Sequence, residues 1–209
     1  MVGQRKLRLG ILASGKGTNA AAVADACASG EIPGEVTMVL SDVEDAGVLQ
    51  RARARGLEAR FIPPGQFRAK LDQPAESAFS EALQGAGVDL VVLAGFMRIL
   101  RSGFLRTFAN RVVNIHPALL PAFPGLEAWK QALDYGVKVT GVTVHFVDQG
   151  IDTGPIIAQE TVPVLPGDTP ETLHARIQEV ERKIYPAVLA ALARGEIRAH
   201  GRQTVWKSA

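Results

Sequence analysis

Cysteine is nearly absent from this sequence, which has 209 residues and a single cysteine, Cys27. One thiol cannot build a disulfide framework, and it is typical of a protein that works in the reducing cytoplasm. Long apolar runs are absent too, since none approaches the roughly 18 residues that a membrane-spanning helix requires. The basic stretch 1–8 leads into a strand-like segment instead of the apolar core of a signal peptide. We therefore expect a cytoplasmic protein with no membrane partner.

The sequence also has no long run of like charge. Its 23 Lys and Arg residues nearly balance its 21 Asp and Glu residues, which gives a formal net charge of +2. The densest basic stretch, Arg51, Arg53 and Arg55, alternates with alanine and is typical of a solvent-exposed helix face. This composition gives no indication of a nucleic-acid partner. Hydrophobic residues make up 47% of the chain, repeats and linkers are missing, and we predict one folded domain over residues 1–209.

Apolar runs and helical patterns alternate through the first half of the chain. The apolar runs suit strands that are buried on both faces, and the first three are each followed by turn residues and then by helical periodicity. We predict strands over 7–13, 36–40, 59–62, 89–95 and 112–115, and helices over 20–28, 47–55 and 75–84. This order predicts an α/β fold with a doubly wound, mostly parallel sheet.

The second half of the chain has a different pattern. We predict strands over 140–147 and 156–162, joined by the loop 148–154. The first of these strands alternates Gly, Thr and His with apolar residues, which favours a position nearer the surface. A long helix is predicted over 169–194, with Thr169 as its cap and Pro170 at its first position. The tail beyond Gly201 is predicted to add one edge strand.

The first predicted strand runs into a glycine-rich turn at the start of a helix, which aims backbone N–H groups at an anion. This glycine loop consists of Gly15, Lys16, Gly17, Thr18 and Asn19. An ATP-binding P-loop would need Ser or Thr where Gly17 stands. A dinucleotide site remains open, because Gly15, Gly17 and Ala20 match its glycine pattern and Asp42 follows the second strand. A phosphate pocket for a mononucleotide or sugar phosphate is open as well, and so is a tight turn without a ligand.

Asn114 and His116 lie on the same side of a predicted strand end, because strand side chains alternate. An amide and an imidazole in this position suit the stabilisation of an oxyanion and the transfer of a proton. Pro117 turns the chain away at this point, and a loop histidine without a catalytic role is the alternative. Asp152 lies in the turn-rich loop between the last two strands and could favour the imidazolium. The alternative interpretation of Asp152 is a residue that only caps the turn.

The remaining three histidines have simpler interpretations. His145, in the middle of a predicted strand, is interpreted as structural, whereas His174 and His200 are interpreted as surface residues. Cys27, in the first predicted helix, is interpreted as part of the core.

Four stretches of the chain carry a family resemblance. They are 11–19, 92–100, 114–121 and 152–155, with the sequences ILASGKGTN, VLAGFMRIL, NIHPALLP and DTGP. In this order and spacing they resemble the phosphoribosylglycinamide formyltransferases of purine biosynthesis, and the resemblance extends from Leu7 to about Trp206. It implies a formyltransferase fold, with a Rossmann-like N-terminal half that binds the phosphoribosyl substrate and a C-terminal half that completes a folate cleft.

The resemblance also implies roles for particular residues. The catalytic set would be Asn114, His116 and Asp152. The phosphoribosyl substrate would be held by Gly15, Lys16, Gly17, Thr18, Asn19, Gln178, Glu179, Val180 and Glu181. The folate would be held by Met97, Arg98, Ile99, Leu100, Asn114, Asp148, Gln149, Gly150, Ile151 and Asp152, with Arg68 or Lys70 as a basic contact. Without the resemblance, the stretch 97–100 equally suits a strand end packed in the core, and Glu181 a solvated helix face.

The implied reaction uses 10-formyltetrahydrofolate as co-substrate and requires no metal. The glycinamide amine would attack the formyl carbon, and Asn114 with protonated His116 would stabilise the tetrahedral oxyanion. Asp152 would keep His116 charged and help to move the amine proton to the departing folate nitrogen. The resemblance implies small-molecule substrates and either a monomer or a homodimer.

Three different functions share parts of this pattern. A methionyl-tRNA formyltransferase would carry a further C-terminal domain and a basic tRNA surface, and a formyltetrahydrofolate deformylase would carry an N-terminal regulatory domain. We expect neither from this sequence. A non-catalytic nucleotide-binding protein could use the same glycine loop, but it would not need Asn114, His116 and Asp152 together.

Overall fold

The structure, a computed structural model, describes residues 5–207. Nine strands occur in this part of the chain: β1 (Leu7–Leu12), β2 (Gly34–Ser41), β3 (Ala59–Phe61), β4 (Leu90–Leu93), β5 (Val112–His116), β6 (Val139–Phe146), β7 (Ile156–Pro163), β8 (Ile197–His200) and β9 (Gln203–Trp206). Seven of them form one sheet in the order β3-β2-β1-β4-β5-β6-β7, and β8 and β9 form a separate hairpin.

Six helices connect the strands in the described residues: α1 (Thr18–Ser29), α2 (Gly47–Arg53), α3 (Gln73–Gly85), α4 (Ser102–Thr107), α5 (Ala128–Tyr135) and α6 (Pro170–Ala193). Thr169 caps α6 and Pro170 is its first residue, as predicted; the Thr169 hydroxyl accepts a hydrogen bond from the Thr172 N–H. Between residues 5 and 207, every helix falls short of the length and apolarity that a bilayer-spanning helix needs.

The predicted α/β class and the mostly parallel sheet are confirmed. Strands β1 to β5 run parallel to one another, whereas β6 is antiparallel to both of its neighbours, β5 and β7. The chain builds outward from β1 to β3, then returns to place β4 on the other side of β1. Such a reversal opens a crevice at the carboxyl ends of the strands, where folds of this class bind ligands.

Apolar side chains cover both faces of the sheet. Leu9 and Ile11 of β1 pack in one core cluster with residues of α1, α2 and α6. Leu12 packs in a second cluster with Phe79 of α3 and Phe104 of α4. Because alternate side chains of one strand enter different clusters, helices are required on both sides of the sheet, which is the doubly wound arrangement.

Two predictions about the second half of the chain are wrong. Strand β6 is buried along almost its whole length, because it lies between β5 and β7; the Thr143 hydroxyl is satisfied there by donating to the Ala118 carbonyl at 2.7 Å. The tail beyond Gly201 supplies one strand, β9, but this strand pairs with β8 in a hairpin instead of adding to the edge of the main sheet. Thr204 and Trp206 of this hairpin donate hydrogen bonds to carbonyl groups of β7, so the hairpin packs beside the sheet without joining it.

Helix α6 is anchored beneath the crevice by a buried tyrosine. The Tyr185 hydroxyl lies 2.9 Å from the Leu93 carbonyl and 3.0 Å from the Val113 carbonyl, which belong to β4 and β5. A buried hydroxyl requires such partners. This contact fixes the long helix against the two central strands and thereby brings its earlier turns to the edge of the crevice.

Candidate active site

The glycine loop lies at the carboxyl end of β1 and leads directly into α1. Gly17 has a φ of +78° and occupies the cap position of α1, where no described side chain caps the helix. A Cβ at Gly17 would lie 2.6 Å from the Cβ of Val48, so both the backbone conformation and the close packing require glycine. The N–H groups of the first turn of α1 are therefore available to an anion, and Lys16 is exposed beside them.

Asn19 and Glu181 connect the glycine loop to α6. The Asn19 amide donates a hydrogen bond from Nδ2 to Oε2 of Glu181 at 2.9 Å. Glu181 is 5% exposed, and burial raises its pKa although the Asn19 hydrogen bond acts in the opposite direction. The Oδ1 atom of Asn19 is buried and has no hydrogen-bond partner in the described part of the chain. The interpretation of Glu181 as a solvated helix face is therefore wrong.

Asn114, His116 and Asp152 meet at the end of β5. Nδ1 of His116 lies 3.3 Å from Oδ2 of Asp152, and the Asn114 amide nitrogen lies 3.5 Å from Oδ1 of the same carboxylate. Asp152 adopts a positive φ of 54° and is held by the Gly125 N–H, which donates to Oδ2 at 2.8 Å. The structure thus brings together three side chains from two segments that are far apart in sequence.

The charges in this cluster follow from burial and from the paired groups. Burial lowers the pKa of His116 below its ordinary value, even though the Asp152 carboxylate and the Phe123 carbonyl act to raise it. Burial would raise the pKa of Asp152, but the hydrogen bond with His145 and the charge of His116 outweigh burial and lower that pKa. At neutral pH the carboxylate is therefore ionised, and the His116 imidazole of the unliganded chain is mostly neutral.

His145 also belongs to this cluster, although its place in the middle of a strand predicted only a structural role. It lies directly opposite Asn114 in the antiparallel pairing of β5 and β6, and its Nε2 lies 3.2 Å from the Asn114 amide nitrogen and 3.6 Å from Oδ1 of Asp152. Its Nδ1 donates to the Phe146 carbonyl. The only signal in the sequence was its place on a strand, and its position beside Asn114 depends on the register of β5 and β6. Within residues 5–207, no His, Cys, Asp or Glu group is arranged to hold a metal ion.

Asp42 does not occupy the position that a dinucleotide site requires. Its Oδ1 accepts a hydrogen bond from the Ser14 hydroxyl at 2.5 Å, and its Oδ2 accepts one from Nε of Arg98 at 2.6 Å. Both carboxylate oxygens are used within the chain and the side chain is 1% exposed. It is not available to a ribose hydroxyl, which removes the acidic residue on which the dinucleotide interpretation depended.

The stretch proposed to bind folate follows β4 and has mixed exposure. The side chains of Met97 and Ile99 are exposed, whereas Leu100 is buried in the second core cluster. The Arg98 side chain is turned inward, where it pairs with Asp42 and donates to the Phe67 carbonyl at 2.8 Å. Of these four residues, Met97 and Ile99 therefore have side chains that are accessible to a ligand, whereas Arg98 and Leu100 are left with their backbone groups.

The segment before α3 contains the two candidates for a basic folate contact. The ammonium group of Lys70 lies 4.6 Å above the ring of Phe67, which holds it in a cation–π contact. Arg68 has an exposed side chain and its carbonyl accepts a hydrogen bond from Arg98. Of the two, Arg68 has the side chain that is more available to an anionic ligand.

The loop between β6 and β7 is shaped by its own polar groups. Asp148 accepts hydrogen bonds from the Gly150 N–H and from the Thr153 hydroxyl, at 3.1 and 2.6 Å. Gln149, Gly150 and Ile151 are exposed. A Cβ at Gly154 would lie 1.8 Å from the Phe146 carbonyl, so the loop closes tightly at its base and this positions Asp152.

The four residues proposed on α6 do not share one face. Gln178 and Glu181 lie about one turn apart; Glu181 meets Asn19 of the glycine loop, and Gln178 contacts His174. Glu179 is exposed, and Val180 packs against the first core cluster. This follows from the helical period of 3.6 residues, which turns consecutive residues to different sides.

His174 is not the surface residue that the sequence predicted. Its ring stacks on the Trp129 ring of α5, with centroids 3.7 Å apart and planes at 5°. Its Nε2 lies 3.2 Å from the Gln178 amide nitrogen, and burial, followed by the charge of Lys16, lowers its pKa. Helix α5 was not predicted, so its contact with α6 could not be anticipated.

Comparisons with known proteins agree with this geometry. The formyl transferase family matches residues 7–189 of the chain. The chain is 48% identical over 200 residues to the phosphoribosylglycinamide formyltransferase of Mycobacterium tuberculosis, a match that covers 93% of this chain and 89% of that protein. The crystal structure of glycinamide ribonucleotide transformylase 1 from Symbiobacterium toebii is 50% identical, with a TM-score of 0.92, and covers 97% of this chain and 95% of that one.

One relative is much longer than this chain. The trifunctional purine biosynthetic protein adenosine-3 of Drosophila melanogaster is 43% identical over 197 residues, which cover 93% of this chain but only 14% of that protein. The similarity therefore extends to one part of a multifunctional protein as well as to a separate formyltransferase.

Proposed function

The chain belongs to the phosphoribosylglycinamide formyltransferase family, and we propose that it transfers the formyl group of 10-formyltetrahydrofolate to the amine of 5′-phosphoribosylglycinamide. We further propose that it does so as one catalytic domain in the cytoplasm. The observation that carries the proposal is the cluster of Asn114, His116 and Asp152 at the carboxyl end of β5. This cluster lies at the edge of the sheet where the glycine loop offers an anion site.

The two substrates approach the cluster from different parts of the crevice edge. The phosphate is bound by the N–H groups of Gly15–Asn19 with Lys16 beside them, and the ribosyl glycinamide is contacted by Gln178 and Glu181 of α6. The pterin lies against the backbone of 97–100 and the loop 148–152, with Arg68 as the basic contact. The open N–H groups of the first turn of α1 and the buried Oδ1 of Asn19 support the phosphoribosyl side of this arrangement.

The reaction is a direct transfer without a covalent enzyme intermediate. The amine nitrogen forms a bond to the formyl carbon, the bond from that carbon to folate N10 breaks, and the amine proton ends on N10. The tetrahedral oxyanion that forms between these steps is stabilised by the Asn114 amide and the His116 imidazole. Because burial lowers the pKa of His116, its charged form depends on the Asp152 carboxylate, which faces Nδ1 while Nε2 donates to the oxyanion.

One contact of the unliganded chain must change when substrate binds. Nε2 of His116 lies 2.8 Å from the Phe123 carbonyl, to which it donates a hydrogen bond, and Nδ1 faces Asp152. A formyl oxygen that accepts a hydrogen bond from Nε2 therefore takes the place of the Phe123 carbonyl. Phe123 has a positive φ of 54°, in a loop between β5 and α5.

The activity is tested by following folate absorbance with 10-formyltetrahydrofolate, in the presence and in the absence of phosphoribosylglycinamide. Turnover that requires the amine is the expected result. Turnover without the amine would instead indicate a deformylase. No turnover in either mixture, together with a thermal shift on addition of NAD(P), would contradict the proposal and favour a dinucleotide-binding protein.

Replacement of Asn19 by alanine should raise KM for phosphoribosylglycinamide about tenfold, because Glu181 loses its buried hydrogen-bond partner and the substrate loses the acceptor Oδ1. KM for 10-formyltetrahydrofolate should stay within about twofold. The measurement is a steady-state titration of each substrate at saturation of the other. Lys183→Gln, at an exposed position of α6, the helix that carries Glu181, is the control and should change neither constant. Equal rises in both KM values would contradict a role confined to the phosphoribosyl side.

A further inference from the structure

A buried carboxylate links four separate segments behind the crevice. Asp42 follows β2, and its two oxygens accept hydrogen bonds from Ser14 of the turn after β1 and from Arg98 of the turn after β4. The side chains of Asp42 and Arg98 are 1% and 16% exposed. A carboxylate this buried is stable only when it is paired and hydrogen-bonded, and here both conditions are met.

Each partner of Asp42 makes a second contact toward the crevice. The Ser14 hydroxyl, which donates to Asp42, accepts a hydrogen bond from the Met97 N–H at 2.8 Å. Nη1 of Arg98 donates to the Phe67 carbonyl at 2.8 Å and to the Arg68 carbonyl. Asp42 therefore acts on the backbone at Met97 through Ser14, and on the segment 67–68 through Arg98.

The segments that Asp42 links are those proposed to bind the two substrates. Ser14 immediately precedes the glycine loop, which is assigned to phosphate. Met97 and Arg98 begin the stretch assigned to the pterin, and Arg68 is the proposed basic folate contact. The strand order places β2, β1 and β4 side by side, so one carboxylate at the end of β2 can reach both neighbouring turns.

We propose that Asp42 is a positioning residue that holds the folate-binding backbone at 97–98 and the segment 67–68 in fixed relation to the glycine loop. This inference rests on the proposed function. Asp42 does not contact either substrate, because both of its oxygens are occupied within the chain. It acts through Ser14 and Arg98, and its loss leaves the Arg98 guanidinium without its anionic partner.

The test compares Asp42→Ala, Asp42→Asn and Ser14→Ala with the wild type in the same buffer. For Asp42→Ala we expect the Kd of tetrahydrofolate, measured by anaerobic calorimetry, and KM for 10-formyltetrahydrofolate to rise about tenfold, with kcat within about threefold. Asp42→Asn keeps an acceptor for Arg98 but places an NH2 donor toward Ser14 and carries no charge, so it should raise both constants by an intermediate factor of about four. Ser14→Ala removes only the contact to Met97 and should give a smaller rise.

The matched control is Asp168→Ala. Asp168 lies in the segment before α6, and its side chain is 4% exposed. It pairs at 2.8 Å with Arg176, which lies in the second turn of α6. Its loss should lower Tm without changing the folate constants. If Asp42→Ala and Ser14→Ala lower Tm but leave the folate Kd and KM within about twofold of the wild type, Asp42 only supports the fold and the inference is overturned. If Asp42→Ala does not fold, Asp42→Asn and Ser14→Ala decide by the same criterion.

The inference and the proposed function fail in different ways. An active wild type whose folate constants are unaffected by these substitutions overturns the role of Asp42 alone. A wild type that neither binds tetrahydrofolate nor turns over 10-formyltetrahydrofolate overturns the proposed function, and the role of Asp42 with it.

Discussion

His116→Ala is expected to lower kcat by on the order of 10²–10³-fold, which is the usual cost of removing one group that stabilises an oxyanion. His116 is 4% exposed, and its ring is fixed between the Asp152 carboxylate and the Phe123 carbonyl. A side chain held in this way can interact with charge that develops in the transition state without first being ordered. KM for either substrate should change by less than about threefold, because the interaction forms mainly in the transition state.

The measurement is a steady-state titration of both substrates, with circular dichroism to show that the variant is folded. His200→Ala is the control, since His200 is an exposed histidine in the β8–β9 hairpin. It should keep the kcat of the wild type. A kcat for His116→Ala within about threefold of the wild type would remove His116 from the catalytic set.

Local patterns were enough to predict the parts of the site that lie within one segment. The apolar run of β1, the glycine loop and α1 are consecutive, so the anion site follows from neighbouring residues. Asn114 and His116 share one side of β5 because strand side chains alternate. Gly17 was expected in a tight turn, and the structure adds the close contact with Val48 that excludes a side chain there.

Residues whose role depends on contacts between segments were harder to predict. His145 enters the cluster only because β6 pairs antiparallel with β5 and places it opposite Asn114. Glu181 is buried because α6 packs against α1, where Asn19 meets it. Asp42 suggested a ribose contact when it was considered with the second strand alone, and the strand order assigns it to Ser14 and Arg98 instead.

Strand and helix geometry also explains which side chains of a proposed binding segment are exposed and which are buried. A stretch of four consecutive residues cannot point all its side chains into one crevice, so Leu100 enters the core while Met97 and Ile99 remain exposed. On α6 the helical period separates Gln178 and Glu181 from the residues between them. A family resemblance predicts which segments contribute to the site, whereas strand and helix geometry decides the orientation of each side chain.

Asp152→Asn is expected to lower kcat about 10²-fold and to lower the pKa of His116 further. The carboxylate lies 3.3 Å from Nδ1 of His116, and its charge raises the pKa of that imidazole against the effect of burial. Asparagine has nearly the same shape as aspartate but no charge. In the variant, the lowering of the His116 pKa by burial is therefore opposed less. At any fixed pH near neutrality, the variant therefore holds a smaller fraction of charged His116 than the wild type.

The measurement is an NMR titration of histidine ring carbons in labelled wild type and Asp152→Asn. The His116 pKa should lie below its ordinary value in the wild type and lower still in the variant. The double variant His116→Ala with Asp152→Asn should lose about as much kcat as His116→Ala alone, because the carboxylate acts through the imidazole. Additive losses, or a His116 pKa that rises in Asp152→Asn, would show that Asp152 acts on the substrate directly and that its charge does not support the imidazolium.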